Sequence, residues 1–120
     1  MDVDEGMGVP RSRDHQPPAS FVASGKWPDV KLRADAPLTA VAGMQFAKSL
    51  HGAMAARGWS DRELSRHVAM SHSTVGRIAR GEVLPDLGTI VRLEAALGCA
   101  LYPATLHAEY GPPAEQVADQ

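Results

Sequence analysis

The sequence predicts an all-α fold: a bundle of four to five short helices, with a small two-stranded β element from its flanking segments. Three observations carry this. Apolar residues recur at helical spacing between Gln45 and Leu97, side-chain caps stand at Ser60, Ser71 and Asp86, and glycines close the segments at Gly58, Gly81 and Gly98.

Phe46, Leu50, Ala53 and Met54 lie at i, i+4, i+7 and i+8 ahead of Gly58, which predicts a first helix over roughly 40–57. In Ser60-Asp61-Arg62-Glu63 the serine oxygen can accept from the backbone of Glu63 while the Glu63 carboxylate reaches back, a capping box that opens a short second helix over about 61–68. A break at Ala69-Met70 precedes Ser71, the cap of a third helix over about 72–80 that buries Val75 and Ile78 and stops at Gly81. Asp86 caps a fourth helix with the stripe Leu87, Ile90, Leu93 and Leu97. Beyond Gly98, the residues Cys99, Leu101 and Tyr102-Pro103 predict a brief extended piece, with a last turn through Leu106.

The flanks differ. Residues 1–26 mix Gly, Pro, Ser and both charges without apolar period, the pattern of a disordered tail, and 107–120 ends in GPPAEQVADQ, a flexible acidic tail. Between them, 27–39 predicts an extended arm in which Val30 and Leu32 alternate with Asp29, Lys31 and Arg33. A lone strand needs a partner, and residues 99–102 offer one, within the chain or across a dimer. The alternative use of the arm is basic, through Lys26, Lys31 and Arg33. The organised domain is 40–106.

At 120 residues, 44% apolar and 22% charged, the chain fits one domain with tails. The start MDVDEGMGVPRSRDH has acids where a signal peptide would be basic and then apolar, and no apolar run is long enough for a membrane; a cytoplasmic protein with no membrane partner is expected. The single cysteine, Cys99, excludes an internal disulfide and reads as a small apolar core residue. No cofactor is implied. His15, His51, His67, His72 and His107 share no ligand spacing with carboxylates or cysteine, so no metal site is expected. The serines near His67 and His72 are already explained as packing and capping residues, and no Gly-rich phosphate or oxyanion loop accompanies them, so no catalytic residues and no enzyme are predicted. The net charge of −2 conceals a gradient. Residues 45–102 hold seven Lys or Arg against five acids, and the segments on either side are acidic.

Two short helices joined by a tight turn, with the small Ser65 where they meet, make a helix-turn-helix whose second helix fits a DNA major groove. The run WSDRELSRHVAMSHSTVGRIARGEVLPDLGTIVRLEAALG resembles the phage-repressor-like (Xre) helix-turn-helix family, whose signature has the form S-x-x-E-L-A-x-x-x-G-V-S-x-S-T-V-x-R-I-x-x-G followed by P-x-L-x-T-L. The likeness covers about residues 45–102. It implies a sequence-specific transcriptional regulator, of the repressor type, that binds double-stranded DNA as a homodimer on a two-fold operator. In it Ser71 caps the recognition helix, His72, Ser73 and Arg77 face base edges, and Arg62, Arg66, Thr74, Arg80 and the backbone at Gly81 take phosphates. A dimer surface is expected from Cys99, Leu101, Tyr102 and Leu106. The alternative is an antitoxin-type or phage- or plasmid-borne protein whose main role is to bind and neutralise a protein partner. The excess of Arg over Lys and the abundant Ala fit a GC-rich bacterial or phage genome.

The sequence also departs from that pattern. A buried Arg–Glu pair common in the family is replaced by Met54 and Ala79, both apolar, so no lone charge is left inside. The turn glycine is Ala69, at up to ~1 kcal/mol if the left-handed conformation is kept. Asp61 suits the dipole of the second helix but repels DNA. Gly76 weakens the third helix by ~0.5–1 kcal/mol relative to alanine, and on this reading leaves room for close approach to DNA.

Overall fold

The structure is a computed structural model in which residues 14–113 are described. A 3-10 turn at Pro18–Phe21 leads into β1 (Val22–Lys26) and β2 (Asp29–Leu32). Five α-helices follow: α1 (Leu38–Arg57), α2 (Asp61–Val68), α3 (His72–Ala79), α4 (Leu87–Leu97) and α5 (Leu106–Tyr110). The helical bundle with a two-stranded element is thus the observed architecture.

Local chemistry explains most boundaries. Gly58 and Gly98 end α1 and α4 in the left-handed conformation that lacks a steric penalty only for glycine. At the start of α2, Ser60 Oγ accepts from the Glu63 N–H at 3.2 Å and Glu63 Oε1 accepts from the Ser60 N–H at 3.1 Å. Ser71 Oγ accepts from the Thr74 N–H at 3.1 Å and Asp86 Oδ1 from the Thr89 N–H at 2.8 Å, so α3 and α4 each open with an orphan donor satisfied.

The core joins Phe46, Leu50 and Met54 of α1 to Leu64 and Val68 of α2, Val75, Ile78 and Ala79 of α3, Leu93 and Leu97 of α4, and Leu101. Met54 and Ala79 therefore both sit in apolar surroundings, a combination that leaves no buried charge to compensate. On α4 the packed face starts one turn later than the apolar stripe suggested: Ile90 is half-buried and Leu93 and Leu97 are buried, whereas Leu87 is 70% exposed in the first turn. Ser65 is buried between α2 and its neighbours, its hydroxyl donating to Arg62 O at 2.7 Å and so needing no other partner.

The N-terminal flank corrects two expectations. Residues 18–26 are structured, and β2 pairs antiparallel with β1, in the register Lys26↔Asp29, Gly25↔Val30 and Ser24↔Lys31, not with 99–102. The expected disorder of 1–13 falls outside the described residues. Apolar periodicity missed this segment because its anchoring is done by two isolated side chains, Pro18 and Phe21, both buried. Pro18 lies against α1 where Gly43 leaves room; a Cβ at Gly43 would stand 2.4 Å from Pro18 Cγ. Residues 99–102 form no strand because their donors are engaged: the N–H groups of Leu101 and Tyr102 donate to Glu94 Oε2 at 2.8 and 3.0 Å. Those two bonds hold the Glu94 carboxyl below the usual carboxylate range.

A group whose folded pKa is lowered binds more protons when unfolded, so its contribution is complete above the ordinary carboxylate pKa and is lost as pH falls through the folded value. Melting wild type and Glu94→Gln at pH 7 and at about pH 3 should show the variant less stable at neutral pH, with the gap narrowing in acid. The turn between α2 and α3 gives a second expectation. Ala69 sits at φ 56 and ψ 44, the one non-glycine residue at positive φ among those described. Relief of about 1–2 kcal/mol of left-handed strain outweighs the extra freedom glycine gives the unfolded chain, so Ala69→Gly should raise stability by roughly 0.5–1 kcal/mol in denaturant unfolding.

Candidate nucleic-acid interface

The eight residues of α3 divide cleanly. Val75, Gly76, Ile78 and Ala79 are buried, while His72, Ser73, Thr74 and Arg77 are exposed. The amphipathic division follows from helical period: the apolar side chains pack on α2 and α1, and the polar ones are left facing out along one side. Ser71 Oγ also donates to Thr74 Oγ1 at 2.7 Å and lies 3.3 Å from Ser73 Oγ, which orders the hydroxyls at the amino end of the helix. Arg62 and Arg66 lie exposed one turn apart on α2, without a partner among the described residues.

The carboxyl end of α3 is more heavily built. Arg80 Nε donates to Glu82 Oε2 at 2.7 Å, and Arg77 Nε lies 4.0 Å from Glu82 Oε1. This hydrogen bond holds the Glu82 carboxyl below its ordinary range and raises the Arg80 guanidinium, which also feels Asp61. All three side chains are close to half exposed, so water screens the pairs and the two arginines remain available to a phosphate. The Arg80 guanidinium lies back along the helix over Gly76, where a Cβ would stand 2.8 Å from Arg80 Nη1. Gly76 is thus covered by an arginine and buried, which corrects the expectation that it admits DNA backbone.

Gly81 is corrected as well. It is buried, its N–H donates to Ile78 O at 3.1 Å, and the Trp27 indole lies on it so closely that a Cβ would stand 2.3 Å from Trp27 Cζ2. The neighbouring Glu82 N–H donates to Arg77 O at 3.0 Å. No backbone donor there is left for a phosphate. With φ at +73°, only glycine serves at this position on both conformational and spatial grounds.

Several structural residues were missed by sequence reasoning. Trp27 Nε1 donates to Ala79 O at 3.0 Å, and His51 Nε2, from α1, donates to the same carbonyl at 2.7 Å. Arg92 of α4 donates to the last carbonyls of α2, Val68 O and Ala69 O. Arg57 Nε donates to Leu97 O at 3.1 Å and its guanidinium lies over the Trp59 ring, which stacks on His67 at 3.9 Å. The signal for such residues is indirect: helix ends leave orphan carbonyls that cationic or N–H side chains satisfy, but which side chain comes near depends on tertiary packing.

Of the residues expected at a dimer surface, Leu101 is only 1% exposed and belongs to the core, Cys99 is exposed and so not a core residue, Tyr102 is exposed and Leu106 is half-buried. Tyr102 and Leu106 border an apolar groove of about 220 Å³ with Phe46, Leu84 and Ile90. Among the described residues no three His, Cys, Asp or Glu side chains cluster as a metal ion would require, and no helix is long and apolar enough to cross a membrane.

A family model described as helix-turn-helix matches residues 52–102, from the last turns of α1 to the end of the segment held by Glu94. Residues 52–102 are a helix-turn-helix segment of the phage-repressor-like type. No curated protein and no solved structure matches the chain. The match covers the end of α1 and all of α2, α3 and α4, and leaves out the 3-10 turn, the hairpin, the start of α1 and α5.

Proposed function

We propose that the protein is a sequence-specific transcriptional regulator that inserts α3 into the major groove of double-stranded DNA and acts as a homodimer on a two-fold operator. The observation that carries this is the exposed side of α3, where Arg77 stands out from a helix whose other side is sealed in the core of a helix-turn-helix. An arginine fork matches the paired acceptors O6 and N7 of guanine, whereas His72 and Ser73 bond less selectively. Arg62 and Arg66 of α2, with Thr74 and Arg80, supply the sequence-independent grip on phosphates. In this reading Arg80 exchanges Glu82 for a phosphate when DNA arrives.

A single α3 touches few bases, and a dimer would set two of them ~34 Å apart in successive grooves. Tyr102 and Leu106 support a dimer surface; Leu101, spent in the core, does not. Tyr102, together with the exposed Tyr110 and Leu38 of an adjoining hollow, favours a second reading: an antitoxin-type protein that grips a partner protein along this surface and uses DNA binding for its own control.

Selection of bound sequences from random duplex DNA should enrich a two-fold motif. On that site Arg77→Ala should weaken binding by ~1–3 kcal/mol and relax preference at one base per half-site. A variant that binds the selected duplex like wild type would remove Arg77 from the reading role, and the absence of any enriched motif together with capture of a single protein partner would move the assignment to the second reading.

A further inference from the structure

The place on the flank of α3 where loop backbone would meet a phosphate is occupied by the β-hairpin. Trp27, in the turn between β1 and β2, covers Gly81 and bonds to Ala79 O, and the Ala19 N–H donates to Gly81 O at 3.0 Å. The hairpin tip is therefore attached to the carboxyl end of the helix proposed to enter the groove.

Its charge is distributed by the strand alternation. Val30 and Leu32 are half-buried, while Asp29 and Lys31 face out. The register sets Lys26 opposite Asp29 and Ser24 opposite Lys31, which brings Lys26 and Lys31 to the same outward side. Lys26 directly precedes the anchoring Trp27, so its Cα lies ~3.8 Å from that of the anchor. Neither lysine side chain has a hydrogen-bond or ion-pair partner among the described residues. Arg33 differs: it is held by Asp35 through bonds of 3.0 and 2.9 Å and lies over the Phe21 ring, so it is engaged within the chain.

We propose that the hairpin is a second DNA-contacting element, in which Lys26 and Lys31 bind backbone phosphates beside the major groove that α3 enters. The occupant is the sugar-phosphate backbone of the same duplex, favoured by charge complementarity and by the attachment of the hairpin to α3. Because Trp27 fixes the hairpin beforehand, the lysines are presented without the ordering cost a mobile basic tail would carry. This inference rests on the DNA-binding reading above.

The test measures binding of the full chain to the selected duplex, or to random-sequence duplex if none is enriched, across a range of salt. Each phosphate contact contributes a slope of about −0.9 in log affinity against log salt. The double variant Lys26→Gln with Lys31→Gln should flatten the slope by about 1.8, weaken binding about tenfold or more at low salt, and leave base preference and melting temperature unchanged. Asp29→Asn, which removes the acid opposite Lys26, should bind several-fold more tightly, a gain that misfolding cannot imitate. An unchanged slope in the double variant, with wild type still binding, overturns the hairpin contact and leaves α3 as the reading element. A wild-type chain with no salt-dependent affinity for duplex DNA overturns both.

Discussion

The carbonyl oxygen of Ala79 is the point on which the arrangement turns. The end of a short helix exposes acceptors that must be satisfied, and here one of them receives both the Trp27 indole N–H and the His51 imidazole N–H. The first comes from the hairpin and the second from α1, so the carboxyl end of α3 is tied to both. Arg92 does the equivalent for α2 from the side of α4. A helix of eight residues is marginal in isolation, and these long-range bonds, with Val75 and Ile78 in the core, hold α3 in one orientation.

On the proposed reading that fixity matters, because base recognition depends on geometry more than on gross affinity. The protein is mildly acidic overall, and acids stand inside its own basic surface: Glu82 between Arg77 and Arg80, and Asp61 near Arg80. In the proposed DNA-binding role these acids would restrain non-specific attraction, while the guanidinium groups stay exposed. Specificity is a difference between affinities, and a surface that pairs its own arginines when no DNA is bound favours sites offering better partners than Glu82 does.

The bundle was legible in the sequence because its information is local. Ser60 with Glu63, Ser71, Asp86, Gly58 and Gly98 each announce a boundary through chemistry within three or four residues, and Val75 and Ile78 set the inner face of α3 by period alone. Where contacts join distant residues, the sequence was silent or misleading. The hairpin segment has the sequence of a tail and a lone strand, since nothing in residues 18–27 signals that Pro18 will meet Gly43 or that Trp27 will meet Gly81. Cys99 has the character of a core residue, yet it is exposed and Leu101 takes the core position two residues on. The sequence offers Gly76 as room for DNA and Gly81 as a phosphate contact, and both are covered by side chains of this chain, Arg80 and Trp27. A glycine shows that something approaches closely, but not what.

Chemical-shift perturbation of the backbone and side-chain resonances on adding the selected duplex addresses the exposed side of α3 most directly. The largest changes should fall on His72, Ser73 and the Arg77 guanidinium, with Val75 and Ile78 little moved. Changes centred instead on Tyr102, Leu106 and Tyr110, with α3 untouched, would contradict groove entry and make the apolar groove the working surface of the protein.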